Sequence, residues 1–354
     1  MHFTIVGAGA MGGTLGAYLV RAGCDVLFVD QDRAHVAAMR DAGLAIEGAE
    51  HFTVPARAVT VDALGAAAAA RPPDAVLLAV KAQHTAAALE PIVPLLRPET
   101  YVVSLQNGLN ERVIAARIGA ERTVGTFINY SADYLSPGRI LYGGPGAFYL
   151  GELDGRTTPR LEQLGATVRR AFLDGARLTD TIWGSLWGKT AYGAALMATA
   201  LVDENTGDVL GAREYRPVLA NLVGEVVRVA DAEGVRIEGF DGFEPAAMRF
   251  ATPRDWAAID RTLDRRVAEG RKSLKQKTGV WRDLAVRHRP TEVDAHLGTV
   301  VEIGRGRGLS LPLNERLIAL IHDLEQGRRP MSRANLDELR RANAEFYPDH
   351  TAAA

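Results

Sequence analysis

Three glycines, an aspartate and a lysine carry the chemistry that this sequence offers most openly. Gly7, Gly9 and Gly12 stand in the order G-x-G-x-x-G within "IVGAGAMGG", directly after an apolar run and at the head of a helix-forming segment. Glycines at that spacing permit a tight turn, close approach of backbone to a pyrophosphate, and close packing of helix on sheet. The intervening Ala8, Ala10 and Met11 complete a loop whose N–H groups and helix dipole would attract phosphate. Asp30 closes the next apolar run, "DVLFVD". A carboxylate there accepts hydrogen bonds from ribose hydroxyls and repels a 2′-phosphate. These residues predict a dinucleotide site with NAD(H) favoured over NADP(H), and Arg33 stands close enough to offset part of that preference. The plain alternative for Asp30 is a turn residue that caps the following helix.

Lys189 poses a different question. It lies in "WGKTAYGAALMATAL", a stretch otherwise almost entirely small and apolar. A lysine is rarely buried without a partner, and burial alone favours the neutral amine. Either Lys189 snorkels to water from the start of its helix, or the fold holds a charge there for a purpose. Lys81 in "AVKAQHT" and Asn107 in "SLQNGLNE" each fall just past a strand-like run. Ligands of open α/β sheets lie outside the carboxyl ends of the strands, so both are candidates for the cofactor crevice. Their bland readings are a surface lysine and an Asn-Gly turn.

The elements that must position these residues change character along the chain. Through the first half, short apolar runs ("HFTIVG", Asp25–Asp30, Asp74–Val80, Thr100–Gln106) alternate with helical segments, the pattern of βαβ units and a parallel sheet. "RTVGTFI" and a hairpin-like "GRILYGGPGAFYLGEL" predict further strands. Beyond about Ile182 helical patterns dominate: Trp183–Leu201, Pro217–Glu233, Asp255–Leu274, Glu292–Gly304 and Glu315–Glu325. The expectation is an α/β dinucleotide-binding domain over 1–181, a mostly α-helical domain over 182–327 carrying catalytic and substrate groups, and a polar C-terminal tail over 328–354, in part a loose helix.

With 354 residues, two domains are natural. A net charge of −2 without runs of like charge argues against nucleic-acid or membrane partners. No apolar run is long enough to cross a bilayer, and a start in strand-like "HFTIVG", without a basic n-region or cleavage site, argues against secretion. One cysteine, Cys24, fits a reducing, cytoplasmic setting. None of the eight histidines has metal-ligand spacing, so no metal is expected. Helical second domains commonly pair, which makes a homodimer an admissible partner state.

Taken in order, "IVGAGAMGG", "VKA" at Lys81, "QNG" at Asn107, "WGK" at Lys189 and "RPTEVD" with Glu292 resemble the ketopantoate reductase family, over residues 3 to about 312. The resemblance implies a Rossmann-type domain followed by a helical one, and reduction of 2-oxo acids with a nicotinamide cofactor, most often NADPH. It further implies that Lys189 is the catalytic acid, that Glu292 lies near that lysine and the cofactor, that Asn107 contacts the cofactor, and that Ser273 hydrogen-bonds the substrate. Physical chemistry agrees with this assignment. Hydride delivered to a ketone carbon leaves negative charge on oxygen, which a nearby ammonium stabilises and then protonates.

The chain also departs from the family pattern. Substrate-binding asparagines are typical four and eight residues after the lysine, on one helical face. Here those positions are Gly193 and Met197. Two hydrogen-bond donors are therefore missing, at a cost to specificity, and Asn205 just past the helix is the candidate replacement for one. The interval from Ser273 to Glu292 is lengthened by a basic segment, Gly279–Arg289, whose Arg282, Arg287 or Arg289 could clamp an anionic substrate or pair within the chain. The leading expectation is a 2-oxo acid reductase of 2-dehydropantoate 2-reductase type. An NAD-dependent D-2-hydroxyacid dehydrogenase for branched or aromatic substrates is the alternative that Gly193 and Met197 favour. A non-catalytic NAD(H)-sensing protein is the alternative of another class, and a proton-donating lysine counts against it.

Overall fold

A computed structural model describes residues 1–272 and 276–350 of the chain. The chain divides into two compact units, Met1–Ile182 and Trp183–Ala354.

The first unit is built on strands β1 (His2–Val6), β2 (Asp25–Asp30), β3 (Leu44–Gly48), β4 (Phe52–Val54), β5 (Arg57–Thr60), β6 (Ala75–Leu78), β7 (Tyr101–Ser104), β8 (Thr123–Ile128), β9 (Ser131–Ser136), β10 (Arg139–Gly144), β11 (Phe148–Glu152) and β12 (Arg177–Leu178). The main sheet has the order β12-β11-β8-β7-β6-β1-β2-β5. It is parallel from β5 across to β8, and β11 runs antiparallel to β8. Its central strands are continuous apolar runs because both faces are covered. Ala75 and Leu77 pack with Phe3, Ile5 and Phe28 on one side, while Val76 and Leu78 pack with Leu27 and Val29 on the other. Strand order reverses beside β1, so the loops after β1 and β6 open the crevice where such sheets bind ligands.

The segment expected as a hairpin is not one. β10 pairs with β9 and β3 in a separate sheet of order β4-β3-β10-β9, whereas β11 joins the main sheet beside β8 and β12. Alternating residues and a Gly-Pro-Gly connection are equally compatible with two strands that part company, and here the connection carries the chain from one sheet to the other.

The second unit is helical. Its first helix, Ile182–Thr199, is rich in small residues for a geometric reason. A Cβ on Gly184 would lie 2.5 Å from the Arg236 carbonyl oxygen, and one on Gly188 would collide with that of Glu238. The helix thus lies directly on the 236–238 backbone, and Ser185 Oγ donates to Glu238 Oε2 over 2.9 Å. Helix Arg216–Ala232 is almost wholly buried at the centre. Its Glu225 accepts from the N–H groups of Leu313 (3.0 Å) and Asn314 (2.9 Å), at the start of helix Pro312–Glu325, and from Tyr347 Oη at 2.7 Å. A carboxylate at a helix start satisfies donors that have no partner within the helix.

The polar tail, expected as a loose helix in part, is packed and not loose. Residues Arg333–Phe346 form a helix that buries Leu336, Leu339 and Asn343 against this unit. Asn335 Nδ2 donates to the Leu201 carbonyl at 3.0 Å, and Asn221 Nδ2 to Asn343 Oδ1 at 2.6 Å. Two leucines on one face, each contributing about 1.5–3 kcal/mol on burial, suffice to dock a helix whose other faces are charged. Among the described residues no helix is long and apolar enough to cross a membrane.

Candidate functional site

In the first unit the glycine loop has a distinct use for each glycine. Gly7 has φ +93°, and a Cβ there would lie 2.8 Å from the Ala79 carbonyl carbon and the Val80 nitrogen. A Cβ on Gly12 would collide with the Gly7 carbonyl oxygen, which is what lets helix Ala10–Arg21 sit close on the sheet. A Cβ on Gly9, by contrast, would meet no atom within 4 Å, so the outer face of the turn is open to a ligand. The first intrahelical bond runs from Gly13 N–H to the Gly9 carbonyl at 2.7 Å. The N–H groups of Ala10, Met11 and Gly12 precede it at the positive end of the helix dipole, as phosphate binding requires.

Asp30 is half-buried at the end of β2. Its Oδ2 accepts from Ala8 N–H at 2.8 Å and its Oδ1 from Asp32 N–H at 3.0 Å. The carboxylate is therefore fixed against the loop, with further lone pairs left for hydroxyl donors. Asp32, not Asp30, caps the next helix, Arg33–Ala42, by accepting from Ala34 and His35 N–H. Arg33 is highly exposed and its guanidinium reaches within 3.7 Å of Asp62.

His35 adds a support that the sequence reading missed. Its Nδ1 accepts from Gly138 N–H at 2.9 Å, so Nε2 carries the proton and donates to the Ala8 carbonyl at 2.9 Å. A buried histidine thereby holds the carbonyl of the same Ala8 whose N–H Asp30 holds. The two loops past β6 and β7 are also tied together. Gln106 Nε2 donates to the Val80 carbonyl (2.9 Å) and to Thr85 Oγ1 (2.8 Å). Thr85 Oγ1 in turn donates to Asn110 Oδ1 at 2.9 Å, and Asn110 Nδ2 donates to the Asn107 carbonyl at 2.5 Å. This network sets the backbone of half-buried Lys81 and exposed Asn107, which follow β6 and β7. The open turn, the free helix N–H groups and the anchored carboxylate fit a dinucleotide.

In the second unit Lys189 is half-buried on helix Ile182–Thr199, with Gly193 one turn further on and Met197 buried beyond it. Glu292, also half-buried, directly precedes a helical run that passes through a single π-helical turn, Asp294–Gly298. His296 stands in that turn, its N–H donating to the Glu292 carbonyl at 2.9 Å. The imidazole lies over Gly193: a Cβ there would touch Cε1 and would lie 2.9 Å from Nε2 and 3.3 Å from Nδ1. His296 is only 5% exposed, and burial pushes its imidazolium down to about 4. The Glu292 carboxylate opposes that shift and the Lys189 ammonium adds to it, so both charges act on one buried ring. The fold thus gathers Lys189, Gly193, Glu292 and His296 from two distant stretches of chain.

The remaining candidates stand as follows. Asn205 is exposed at the start of helix Thr206–Gly211, where its carbonyl accepts from Asp208 and Val209 N–H. Ser273 lies outside the described residues. The basic segment forms helix Gly279–Ala285 around a buried Asp283, which accepts from Arg289 Nε at 2.8 Å and lies 3.5 Å from Arg287 Nη1. Two of the arginines considered as substrate clamps are thus engaged within the segment itself. Trp281 Nε1 donates to Asp203 at 3.0 Å.

Two family models match the chain: Ketopantoate reductase PanE/ApbA over residues 3–155, and Ketopantoate reductase PanE/ApbA C terminal over residues 181–325. Among curated proteins the chain is similar to the 2-dehydropantoate 2-reductase of Mesorhizobium japonicum, 29% identical over 350 residues that cover 92% of this chain and 98% of that one. It is 28% identical to that of Pyrococcus horikoshii over 323 residues, covering 91% and 96% of the two chains. Among solved structures, 2-dehydropantoate 2-reductase from Geobacter metallireducens aligns with a TM-score of 0.76 at 29% identity, covering 91% of this chain and 99% of that one. D-mandelate dehydrogenase in complex with NADH aligns with a TM-score of 0.76 at 22% identity over 92% and 99%, a likeness of fold.

Proposed function

The chain belongs to the ketopantoate reductase family, nicotinamide-dependent oxidoreductases acting on CH–OH groups, and from that premise we propose that it reduces a 2-oxo acid with NADH, Lys189 serving as general acid. One observation carries the reading: an ammonium, Lys189, and a carboxylate, Glu292, more than a hundred residues apart in sequence, both act on the buried ring of His296. A reductase needs such a charge where the carbonyl oxygen becomes negative.

The residues divide the work. Gly9 leaves room for a pyrophosphate, the N–H groups of Ala10 to Gly12 bind it, and Asp30 accepts from the adenine ribose. Lys81 and Asn107, just past the ends of β6 and β7, would help to hold the cofactor. When bound, the nicotinamide cofactor supplies the hydride. Lys189 Nζ steadies the carbonyl oxygen as charge develops and passes it a proton. Glu292 orients that ammonium. The room expected at Gly193 is filled by the His296 ring, so only Met197, apolar further along the helix, supports the second reading, a D-2-hydroxyacid dehydrogenase for bulkier side chains. A homodimer in a reducing cytoplasm completes the proposal, in keeping with a single cysteine.

The test is oxidation of NADH and NADPH by the purified protein against a panel of 2-oxo acids that includes ketopantoate. Turnover of ketopantoate with NADH supports the first reading. Turnover only of other 2-oxo acids selects the second. Cofactor binding with no acid reduced refutes both and favours a sensor of NAD(H).

A further inference from the structure

His296 has no place in the reading so far, yet it occupies the room that Gly193 leaves. Its Nδ1 is buried and has no hydrogen-bond partner among the described residues. Nearly all buried polar groups in folded proteins are partnered, so an orphan beside a lysine and a carboxylate calls for an explanation. Three features supply one. Any side chain at 193 would collide with the ring, so glycine at this position and histidine at 296 are a matched pair across two elements. The ring stands in a π-helical turn, a distortion that re-aims a side chain and recurs at functional sites. Finally, at neutral pH the ring is uncharged, because burial and Lys189 both disfavour the imidazolium.

A neutral imidazole offers one N–H donor and one acceptor nitrogen. The unpartnered Nδ1 can therefore pair with a hydroxyl in either tautomer, as donor or as acceptor, whereas a carboxylate, which only accepts, needs the tautomer that carries the proton there. We propose that His296 is the specificity-determining residue of this site: it reads a hydroxyl on the side chain of the 2-oxo acid, from the space that Gly193 vacates beside Lys189. The inference deepens the functional reading above and rests on it. Polar recognition here comes from the element facing helix Ile182–Thr199, and a site built to pair with a hydroxyl rejects the analogue lacking it.

The test compares two acids that differ by that hydroxyl alone, ketopantoate and 3,3-dimethyl-2-oxobutanoate. The ratio of their kcat/KM values is measured with NADH for the wild type, His296→Leu, His296→Asn and Gly193→Ala, with NADH binding followed by fluorescence in each. The wild type is expected to favour the hydroxylated acid at least tenfold. His296→Leu should lower the ratio at least tenfold, and His296→Asn, which keeps a donor and an acceptor, should recover part of it. Gly193→Ala presses on the ring and should lower the ratio in a background where the imidazole is intact, so it carries the test if His296→Leu does not fold. An unchanged ratio in His296→Leu or in Gly193→Ala, or a wild type indifferent to the hydroxyl, overturns the assignment of His296 while leaving the reductase reading in place. A wild type that binds NADH and reduces no 2-oxo acid overturns both.

Discussion

Replacing Asp30 by asparagine separates the two jobs that its carboxylate holds. The first is structural, since one oxygen accepts from Ala8 N–H at 2.8 Å and the other from Asp32 N–H at 3.0 Å. The amide has one oxygen, so one of those donors must face an NH2 group, at a cost of about 1–3 kcal/mol. That cost falls on the loop and weakens NADH and NADPH alike. The second job is electrostatic and falls on one cofactor only. Two unit charges about 4 Å apart interact by about 1 kcal/mol in water and ~4 kcal/mol at an effective dielectric of 20. Asp30 is half-buried, which keeps the figure near the lower end at about 1–2 kcal/mol per charge. Against a doubly charged 2′-phosphate the repulsion amounts to ~2–4 kcal/mol, or roughly a 30- to 700-fold preference for NADH. Asp30→Asn should therefore lower kcat/KM for both cofactors and shift their ratio towards NADPH by ~30-fold or more. The assay is kcat/KM for each cofactor at saturating 2-oxo acid, in low salt and in 0.5 M salt, where the shift should shrink through screening. A ratio unchanged within about twofold, or a wild type that prefers NADPH, would refute the charge argument.

Two further outcomes follow from buried histidines. His35→Leu removes the donor to the Ala8 carbonyl and the acceptor for Gly138 N–H. Stranding two buried backbone groups should cost ~2–5 kcal/mol in urea unfolding and weaken NADH binding, whereas a stability loss under ~0.5 kcal/mol would show that the clamp is dispensable. The His296 imidazolium is held at about 4 in the fold against an ordinary 6.5. As pH falls below 6.5 the unfolded chain takes up this proton first, so the contribution is complete above 6.5 and lost by about 4. The loss should reach ~3 kcal/mol. Unfolding free energies of wild type and His296→Gln should therefore converge as pH falls from 7.5 to 5; parallel profiles would contradict the buried, neutral state of the ring.

The fold is legible in the sequence wherever one local rule acts alone. Parallel strands buried on both faces must be apolar throughout, so β1, β2, β6 and β7 announce themselves, and glycines spaced G-x-G-x-x-G between strand and helix can do little but turn. Pairing partners are not local. The residues of β10 and β11 have strand character, yet nothing in them says that they enter different sheets. The docking of helix Arg333–Phe346, as opposed to its helical character, is hidden by composition, because a narrow stripe of Leu336, Leu339 and Asn343 is outweighed by charge on the other faces. Lys189 and Glu292 stand out through short motifs. His296 does not, although "EVDAH" puts it one helical turn after Glu292; its meaning comes from contact with Gly193, more than a hundred residues away. What marks that contact in the sequence is an absence, the missing side chain at 193, and an absence identifies no partner.

The proposed role of Lys189 is that of proton donor to the substrate, not of a structural cation. Its most direct test is Lys189→Ala, measured for steady-state reduction of the best 2-oxo acid and, on the same preparation, for NADH affinity. In a proton donor's absence kcat/KM should fall at least ~10²-fold while the Kd for NADH stays within about threefold, since the cofactor-binding groups are assigned to the glycine loop and Asp30. A variant that keeps more than about a tenth of its activity, or that loses NADH binding in proportion to turnover, would contradict it.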